Sequence, residues 1–257
     1  MSSFSTSAIT LRRIDYGDFD LILTFFTLDK GKVSIIAKSA KKSIKRFSGI
    51  LELFCVLKVV YTLGRGSGLP VLKEASLCHS FPNIRVHILK TAYASYWSEL
   101  INEWVEAEQQ QVQLYHLLYH VLKELDAGNT PEAALSIIFQ IRFMALAGLV
   151  PNLGHCSVCH ADTEMIRQNR VIFDLSRGGI VCEKCDTGSI RRIFLSKGTI
   201  KQLTWVASGG LNKAVRIRFA PQTVKEGLGL LEGFVPYHLG KEPRSLKFLR
   251  QIRSAEK

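Results

Sequence analysis

The sequence predicts an α+β chain: a small all-β amino-terminal domain, then a helical domain carrying an insertion built on paired cysteines. Three observations point there. Five short runs rich in β-branched and aromatic residues fill the first 80 residues, the apolar period becomes helical near Asn83, and two Cys-x-x-Cys pairs interrupt the helical part. The expected domains are residues 1–80 and 81–257, with the insertion at about 152–190.

The predicted strands are residues 8–14, 21–27, 32–37, 51–61 and 71–76. Turn-like clusters separate them at 15–20, 29–31 and 64–70, and a basic stretch follows Ala37. Five short strands without intervening helical period suit a small barrel. The OB-fold is the common five-stranded answer and often binds oligonucleotides; an SH3-like barrel fits nearly as well.

From Val86 through Leu89, Tyr93, Trp97, Leu100, Ile101 and Trp104 the apolar residues follow helical spacing, with Glu99, Glu103 and Glu106 opposite. Leu114, Leu117, Leu118, Val121, Leu122 and Leu125 mark a second helix, which Gly128 is placed to stop. Thr130 as N-cap and Pro131 at the first helical position open a third, ending near Gly148 and Pro151. It is apolar almost all round and therefore expected at the centre of the helical domain. Residues 197–207, 222–234 and 245–252 read as further, more basic helices.

Thirty-four Lys and Arg against 22 Asp and Glu give the chain of 257 residues a net charge of +12. With 47% hydrophobic and 22% charged residues, wholesale disorder is excluded. The charge is uneven: +6 over residues 1–80, −3 over 81–150 and +9 over 151–257. A polyanion is the expected partner, contacting the first or last third and not the middle. No membrane span is expected, because the longest apolar stretch, 133–150, carries Gln140 and Arg142 in its middle. Residues 1–7 lack the basic and apolar regions of a secretory leader, so the expectation is a cytoplasmic chain with reduced cysteines.

Under reducing conditions paired cysteines point to metal. Cys156 and Cys159, then Cys182 and Cys185, form two Cys-x-x-Cys turns with 22 residues between them, a Cys₄ zinc pattern with a slightly long loop. Such a site is coordinatively closed and hence structural, and Lys184 or Arg177 is placed to temper its formal −2 charge. Cys156 to His160 also spells the c-type haem attachment motif, but the second cysteine pair argues against haem. A zinc deaminase needs an upstream His-x-Glu that the sequence lacks. His155 or His160 as a replacement ligand is less expected than two exposed loop histidines, and Cys55 and Cys78 read as ordinary residues.

Lys38, Lys41, Lys42, Lys45 and Arg46 cluster within nine residues, spaced by small residues and followed by Phe47. After the third strand they fall at one mouth of a barrel, where cations track phosphates and an aromatic offers a stacking face; the plainer reading is a solvated charged loop. Arg65, in Gly64-Arg65-Gly66-Ser67-Gly68, lies between strands four and five, a loop that belongs to the oligonucleotide face of OB-folds. Arg12, Arg13 and Lys32 extend the strip or are simply exposed strand residues. Arg191, Arg192, Arg216, Arg218, Arg244, Lys247 and Arg250 in the last third either contact phosphate or form a wet face. The glycine-rich loop is no P-loop, and no nucleophile elbow or His-Glu-x-x-His is present, so no enzyme is expected. His116 and His120 read as a polar helix face. The competing functional classes are a zinc-ribbon nucleic-acid adaptor of the transcription machinery, binding through the basic last third, and a nuclease with dispersed metal ligands.

Several landmarks, weak singly and specific in order, resemble the RecO family of bacterial recombination-mediator DNA repair proteins. They are Tyr16-Gly17-Asp18-Phe19-Asp20-Leu21-Ile22, Gly31-Lys32-Val33-Ser34, the basic 38–47 stretch, Leu51-Glu52-Leu53-Phe54, Gly66-Ser67-Gly68-Leu69-Pro70 and Ala92-Tyr93-Ala94-Ser95-Tyr96. The cysteines after Gly148-Leu149-Val150-Pro151 and the late Tyr237-His238-Leu239-Gly240 complete the series. The resemblance covers nearly the whole chain. It implies an OB-fold, a helical bundle and a zinc-ribbon-like insertion with one structural zinc. It further implies binding of single- and double-stranded DNA, annealing of complementary strands, contact with RecR and with the acidic tail of single-stranded-DNA-binding protein, and help in loading RecA, without nucleotide hydrolysis. The implied setting is cytoplasmic and nucleoid-associated, and Lys38, Lys41, Lys42, Lys45 and Arg46 are the implied DNA-contact candidates.

Overall fold

The first strand, β1 (Ser3–Tyr16), is long enough to pair along both of its edges. In the computed structural model, which describes residues 3–47, 49–64, 68–188 and 191–255, residues 8–16 of β1 pair antiparallel with β2 (Asp20–Thr27). β2 pairs with β3 (Gly31–Ala37), and after the short α1 (Ile44–Phe47) comes β4 (Val56–Thr62), which pairs with residues 3–9 of β1. β5 (Val71–His79) lies antiparallel to β4 and meets β3 in parallel at Ile36 and Val71, closing the barrel in the order β1-β2-β3-β5-β4. That order, with its single parallel closure, is an OB-fold and decides against the SH3-like alternative. Strict alternation along β3 sends Val33, Ile35 and Ala37 inward to meet Leu23, Phe25, Leu57 and Val59, while Lys32 and Ser34 point away.

Helices follow: α2 (Pro82–Val86), α3 (Ile88–Trp104), α4 (Val112–Ala127) and α5 (Glu132–Leu146). Then come β6 (Arg170–Asp174), β7 (Gly179–Val181), β8 (Arg192–Ser196), α6 (Lys197–Ser208), α7 (Leu211–Ala214), α8 (Pro221–Leu239) and α9 (Arg244–Ala255). The helix expected from Asn83 is broken at His87, whose extended backbone (φ −118°, ψ 114°) separates α2 from α3. No described helix is long and apolar enough to cross a membrane.

The chain divides into two compact units, Met1–Ala127 with Pro243–Lys257, and Gly128–Glu242. In the first, the outward Phe26 of β2 packs on Tyr115 of α4, ring centroids 5.9 Å apart, and the Tyr115 hydroxyl shares a 2.8 Å hydrogen bond with Ser7. α3 buries Tyr93, Tyr96 and Trp97 completely or nearly so, and Glu99 caps α9 by accepting hydrogen bonds from the backbone N–H groups of Arg244 (3.1 Å) and Ser245 (2.8 Å).

The second unit is centred on α5. Its two interruptions of the apolar run each find a carbonyl partner: buried Gln140 donates to the Ser136 carbonyl at 3.2 Å, and the Arg142 guanidinium donates to the Gly209 carbonyl through Nη2 while its buried Nε is left without a partner among the described residues. Here one expectation is corrected. Pro131, not Thr130, occupies the cap position of α5, with an extended ψ of 137° and no side-chain cap hydrogen bond, while the Thr130 hydroxyl donates to the Val215 carbonyl at 3.2 Å. A three-stranded sheet in the order β7-β6-β8 backs onto α8 through Phe173 and Phe234, 5.7 Å apart edge to face. Buried Glu226 of α8 fastens β8 to α6, accepting from the Ser196 N–H (2.8 Å), the Ser196 hydroxyl (2.9 Å) and the Thr199 hydroxyl (2.6 Å).

Candidate nucleic-acid interface and metal centre

In the first unit a groove of about 650 Å³ opens at one mouth of the barrel. Ile22, Ile36 and Val71 line it with Leu63 and Leu69, while Tyr16, Lys38 and Lys73 supply polar and cationic groups. Each reaches it for a local reason. Tyr16 ends β1 where the chain turns and is 55% exposed. Lys38 follows the last inward residue of β3, Ala37. Lys73 is the extra residue of a bulge: Tyr61 opposes Leu72 and Val60 opposes Glu74, leaving Lys73 without a partner across the ladder. Bulges re-aim side chains in this way. An aromatic face, apolar walls and two ammonium groups can hold a base and its phosphates.

The basic loop after β3 is folded tightly onto the β1–β2 turn. The Ser39 N–H donates to the Asp20 carboxylate at 2.7 Å and the Lys41 N–H to the Phe19 carbonyl at 3.0 Å. Ser39 holds φ 53°, a left-handed conformation uncommon for a residue with a side chain. The Lys41 ammonium pairs with Asp15 at 3.0 Å, and that of Lys42 stands 3.3 Å from the Phe19 ring centroid. Arg46 donates to the Lys38 carbonyl at 2.9 Å and lies over the Phe47 ring. The loop thus brings Lys38, Lys41, Lys42 and Arg46 together, with only Lys38 lining the groove. The Lys45 side chain and Arg65 lie outside the described residues.

Two expected members of the strip stand elsewhere. Lys32, on the outward face of β3, donates to the Asn102 carbonyl at 2.6 Å, and the Glu108 N–H donates to the Lys32 carbonyl at 3.0 Å. Burial pulls the Lys32 ammonium below its ordinary pKa, against the opposing charge of Glu103. The segment after α3 lies so close here that a Cβ on Gly31, at φ +64°, would meet the Gln109 carbonyl oxygen at 1.9 Å. Arg13 pairs with Glu52 at 3.3 Å and is not among the groove residues. Of the late cations, Arg244, Lys247 and Arg250 belong to α9 in the first unit; Arg191, Arg192, Arg216 and Arg218 belong to the second.

In the second unit the sulfurs of Cys156, Cys159, Cys182 and Cys185 all lie within 4.8 Å of one another. Each pair is shaped by its backbone. The His160 N–H donates to the Cys156 carbonyl at 3.0 Å, and the Cys185 N–H to the Cys182 carbonyl at 3.0 Å. The Ser157 N–H reaches the Ile180 carbonyl of β7 at 2.8 Å, docking the first turn beside the second. Zinc–sulfur bonds of about 2.3 Å in a tetrahedron set sulfurs about 3.8 Å apart. The Cys159 and Cys182 sulfurs are 3.7 Å apart, so the set fits a tetrahedral thiophilic cation.

Electrostatics agree. Burial opposes ionisation of Cys156, but N–H groups of Cys159, Cys182 and Val158 outweigh it and bring the thiol to about 6. Cys185 is pushed up to about 12, first by its hydrogen bond with Cys182 and then by burial and the Cys159 thiol. Four thiolates this close need a cation between them. His155 and His160 are exposed loop residues outside this cluster, their rings 5.6 Å apart.

Sequence reasoning missed Tyr16 and Lys73 as groove residues. An exposed aromatic at a strand end was a visible signal for the first; for Lys73 the signal is the bulge, which one strand's sequence does not announce.

Comparison with known proteins agrees with this architecture. The family model described as "Recombination protein O N terminal" matches residues 1–81, and "Recombination protein O C terminal" matches residues 85–247. The chain is 46% identical over 258 residues to a DNA repair protein RecO of Desulfosudis oleivorans, covering 98% of this chain and 99% of that protein. It is 46% identical over 254 residues to one of Desulfatibacillum aliphaticivorans, with 98% of each covered. A third, of Syntrophus aciditrophicus, is 35% identical over 254 residues, covering 98% of this chain and 97% of the relative. An OB-fold joined to a helical part with a cysteine centre, matched end to end by these relatives, makes the chain a member of the RecO family, with a role in DNA repair and recombination.

Proposed function

We propose that this chain is a recombination mediator that binds single- and double-stranded DNA, anneals complementary strands and, with RecR, helps load RecA onto DNA coated by single-stranded-DNA-binding protein, whose acidic tail it contacts. The observation that carries the reading is the barrel-mouth groove, where Tyr16, Lys38 and Lys73 converge beside the loop of Lys41, Lys42 and Arg46. Cations along a backbone track release counterions without reading sequence, and an aromatic face accepts any base. A strand held through its phosphates keeps its base edges available to a complement, which annealing requires. Lys45 and Arg65 complete the proposed contact set by their place in the sequence; Lys32, whose ammonium is turned to the Asn102 carbonyl, and Arg13, paired with Glu52, stand outside the groove.

The cysteine centre is proposed to hold one zinc per chain through Cys156, Cys159, Cys182 and Cys185. Four protein ligands leave no position for water, so the metal's contribution is to join the two turns to the β7-β6-β8 sheet. No catalytic step is assigned, and the proposed setting is the cytoplasm, at the nucleoid. The test is annealing of complementary oligonucleotides coated with the cognate single-stranded-DNA-binding protein. The full chain accelerates it, and the paired Lys38→Ala, Lys73→Ala variant, with an unchanged melting temperature, does not; equal rates would refute the reading.

A further inference from the structure

A bulge in β1 decides which of two neighbouring arginines stands on the groove side of the barrel. The β1–β2 register passes from Thr10 opposite Phe25 to Arg12 opposite Thr24, so the buried Leu11 is an extra residue. Residues opposite one another in an antiparallel pair share a face. Phe25 points into the barrel core, and an unbroken register would turn Arg12 inward as well, opposite Leu23. The extra residue reverses the phase. Arg12, Ile14 and Tyr16 thereby share the outer face with their partners Thr24, Ile22 and Asp20 of β2. Arg13 and Asp15 fall on the other side, where Arg13 pairs with Glu52 and Asp15 with Lys41.

On that outer face Ile14, Ile22 and Ile36 stand side by side across β1, β2 and β3. Ile22 and Ile36 line the groove, and Ile14, 37% exposed, extends the same apolar floor. The next row away from the mouth is Arg12, Thr24 and Ser34, with the two hydroxyls 3.4 Å apart. Beyond it the face is closed, because Phe26 packs on Tyr115 and Lys32 on the Asn102 carbonyl. Arg12 is exposed, and among the described residues no hydrogen bond, ion pair or ring contact engages its guanidinium. It is thus an uncompensated cation at the last open row, about 14 Å of strand from Tyr16 at the mouth.

We infer, resting on the strand-binding role proposed above, that Arg12 is the far phosphate contact of a single strand that enters at Lys38 and Lys73 and crosses the Ile14-Ile22-Ile36 floor. The arrangement selects a chain over a small anion. Cations stand at both ends of an apolar floor, so a ligand that uses both must carry negative charge at intervals and apolar faces between them. At about 3.4 Å of rise per nucleotide, the distance from Tyr16 to Arg12 takes about four stacked nucleotides. A lone phosphate bound at the mouth does not reach Arg12. The guanidinium's planar fork suits two hydrogen bonds to one phosphate, and no carboxylate has to be displaced first.

The test titrates the full-length chain with a fluorescent deoxythymidine oligomer of about 12 nucleotides, within the range of about 4–16 that one OB-fold covers, over a series of salt concentrations. Arg12→Gln is expected to lower the log–log slope by about 0.7 and the affinity about fivefold at about 0.1 M salt. Arg12→Lys, which keeps the charge, should hold the slope, and so should Arg13→Gln, one residue away on the other face. On the unaltered chain the oligomer should slow phenylglyoxal modification of Arg12, mapped by mass spectrometry, and leave that of Arg13 unchanged. An unprotected Arg12, or an unchanged slope in Arg12→Gln, overturns the inference; the groove still stands if the paired Lys38→Ala, Lys73→Ala chain loses slope, and falls with it if that chain does not. Equal losses in Arg12→Gln and Arg13→Gln also overturn it, since net charge and not the face would then set the affinity. A loss in Arg12→Gln alone, with none in the paired lysine variant, supports Arg12 and counts against the mouth.

Discussion

The Lys42 ammonium stands 3.3 Å from the centroid of the Phe19 ring. Through that contact a side chain of the β1–β2 turn pins a cation of the loop after β3, and the two segments become one cationic rim. A preorganised rim binds phosphate with less ordering entropy than a free loop.

Removing the ring should therefore weaken binding without touching a charge. Exposed cation–π contacts contribute about 0.5–1 kcal/mol. Phe19→Ala is expected to lower single-strand affinity about two- to fivefold in a fluorescence titration, with the salt slope unchanged.

Asp15 has the opposite effect. Its carboxylate sits 3.0 Å from the Lys41 ammonium and masks it. Asp15→Asn should raise the affinity and steepen the salt slope by up to about 0.7, the share of one phosphate contact on a single strand. A weaker-binding Asp15→Asn chain would show that the pair serves to shape the loop.

Metal removal should act on the second unit. Elemental analysis is expected to give one zinc per chain, and Cys182→Ser or prolonged chelation to lower the melting temperature and raise proteolysis between residues 152 and 190. Annealing at a temperature where the apo chain is folded should persist. Loss of annealing with an intact fold would move the metal from scaffold to function.

Glu226 sets a pH dependence. Its burial raises the carboxyl pKa, but hydrogen bonds from the Thr199 hydroxyl, the Ser196 N–H and hydroxyl, and Gln222 outweigh this and hold it below the ordinary value. A folded pKa below the unfolded one means the contribution is complete above about pH 4.3 and fades as the pH falls through the depressed value. Glu226→Gln is expected to cost about 1.5–3 kcal/mol near neutrality and to flatten the acid limb of the stability profile, measured by urea unfolding.

Much of this was legible in the sequence. Alternation through Val33, Ile35 and Ala37 marked a half-buried strand, the apolar run through Phe139 and Phe143 marked the central helix, and spacing alone named the four cysteines that the fold gathers within 4.8 Å. Charge patterning was a poorer guide. It grouped Lys32 with the loop lysines because they are near in sequence, whereas the pleat turns Lys32 outward to the Asn102 carbonyl. It also passed over Lys73, which reaches the groove through a bulge defined by the register of two strands. Helix starts failed in the same way: Thr130 has the chemistry of a cap, but α5 begins one residue later, after Pro131, and the Thr130 hydroxyl turns to the Val215 carbonyl, 85 residues away in sequence.

The most direct test of the barrel-mouth account is the salt dependence of single-strand affinity, measured for the parent chain and for the paired Lys38→Ala, Lys73→Ala variant. Loss of two phosphate contacts should lower the log–log slope by about 1.4 while the melting temperature stays the same. An unchanged slope would place the phosphates elsewhere on the molecule and contradict the account.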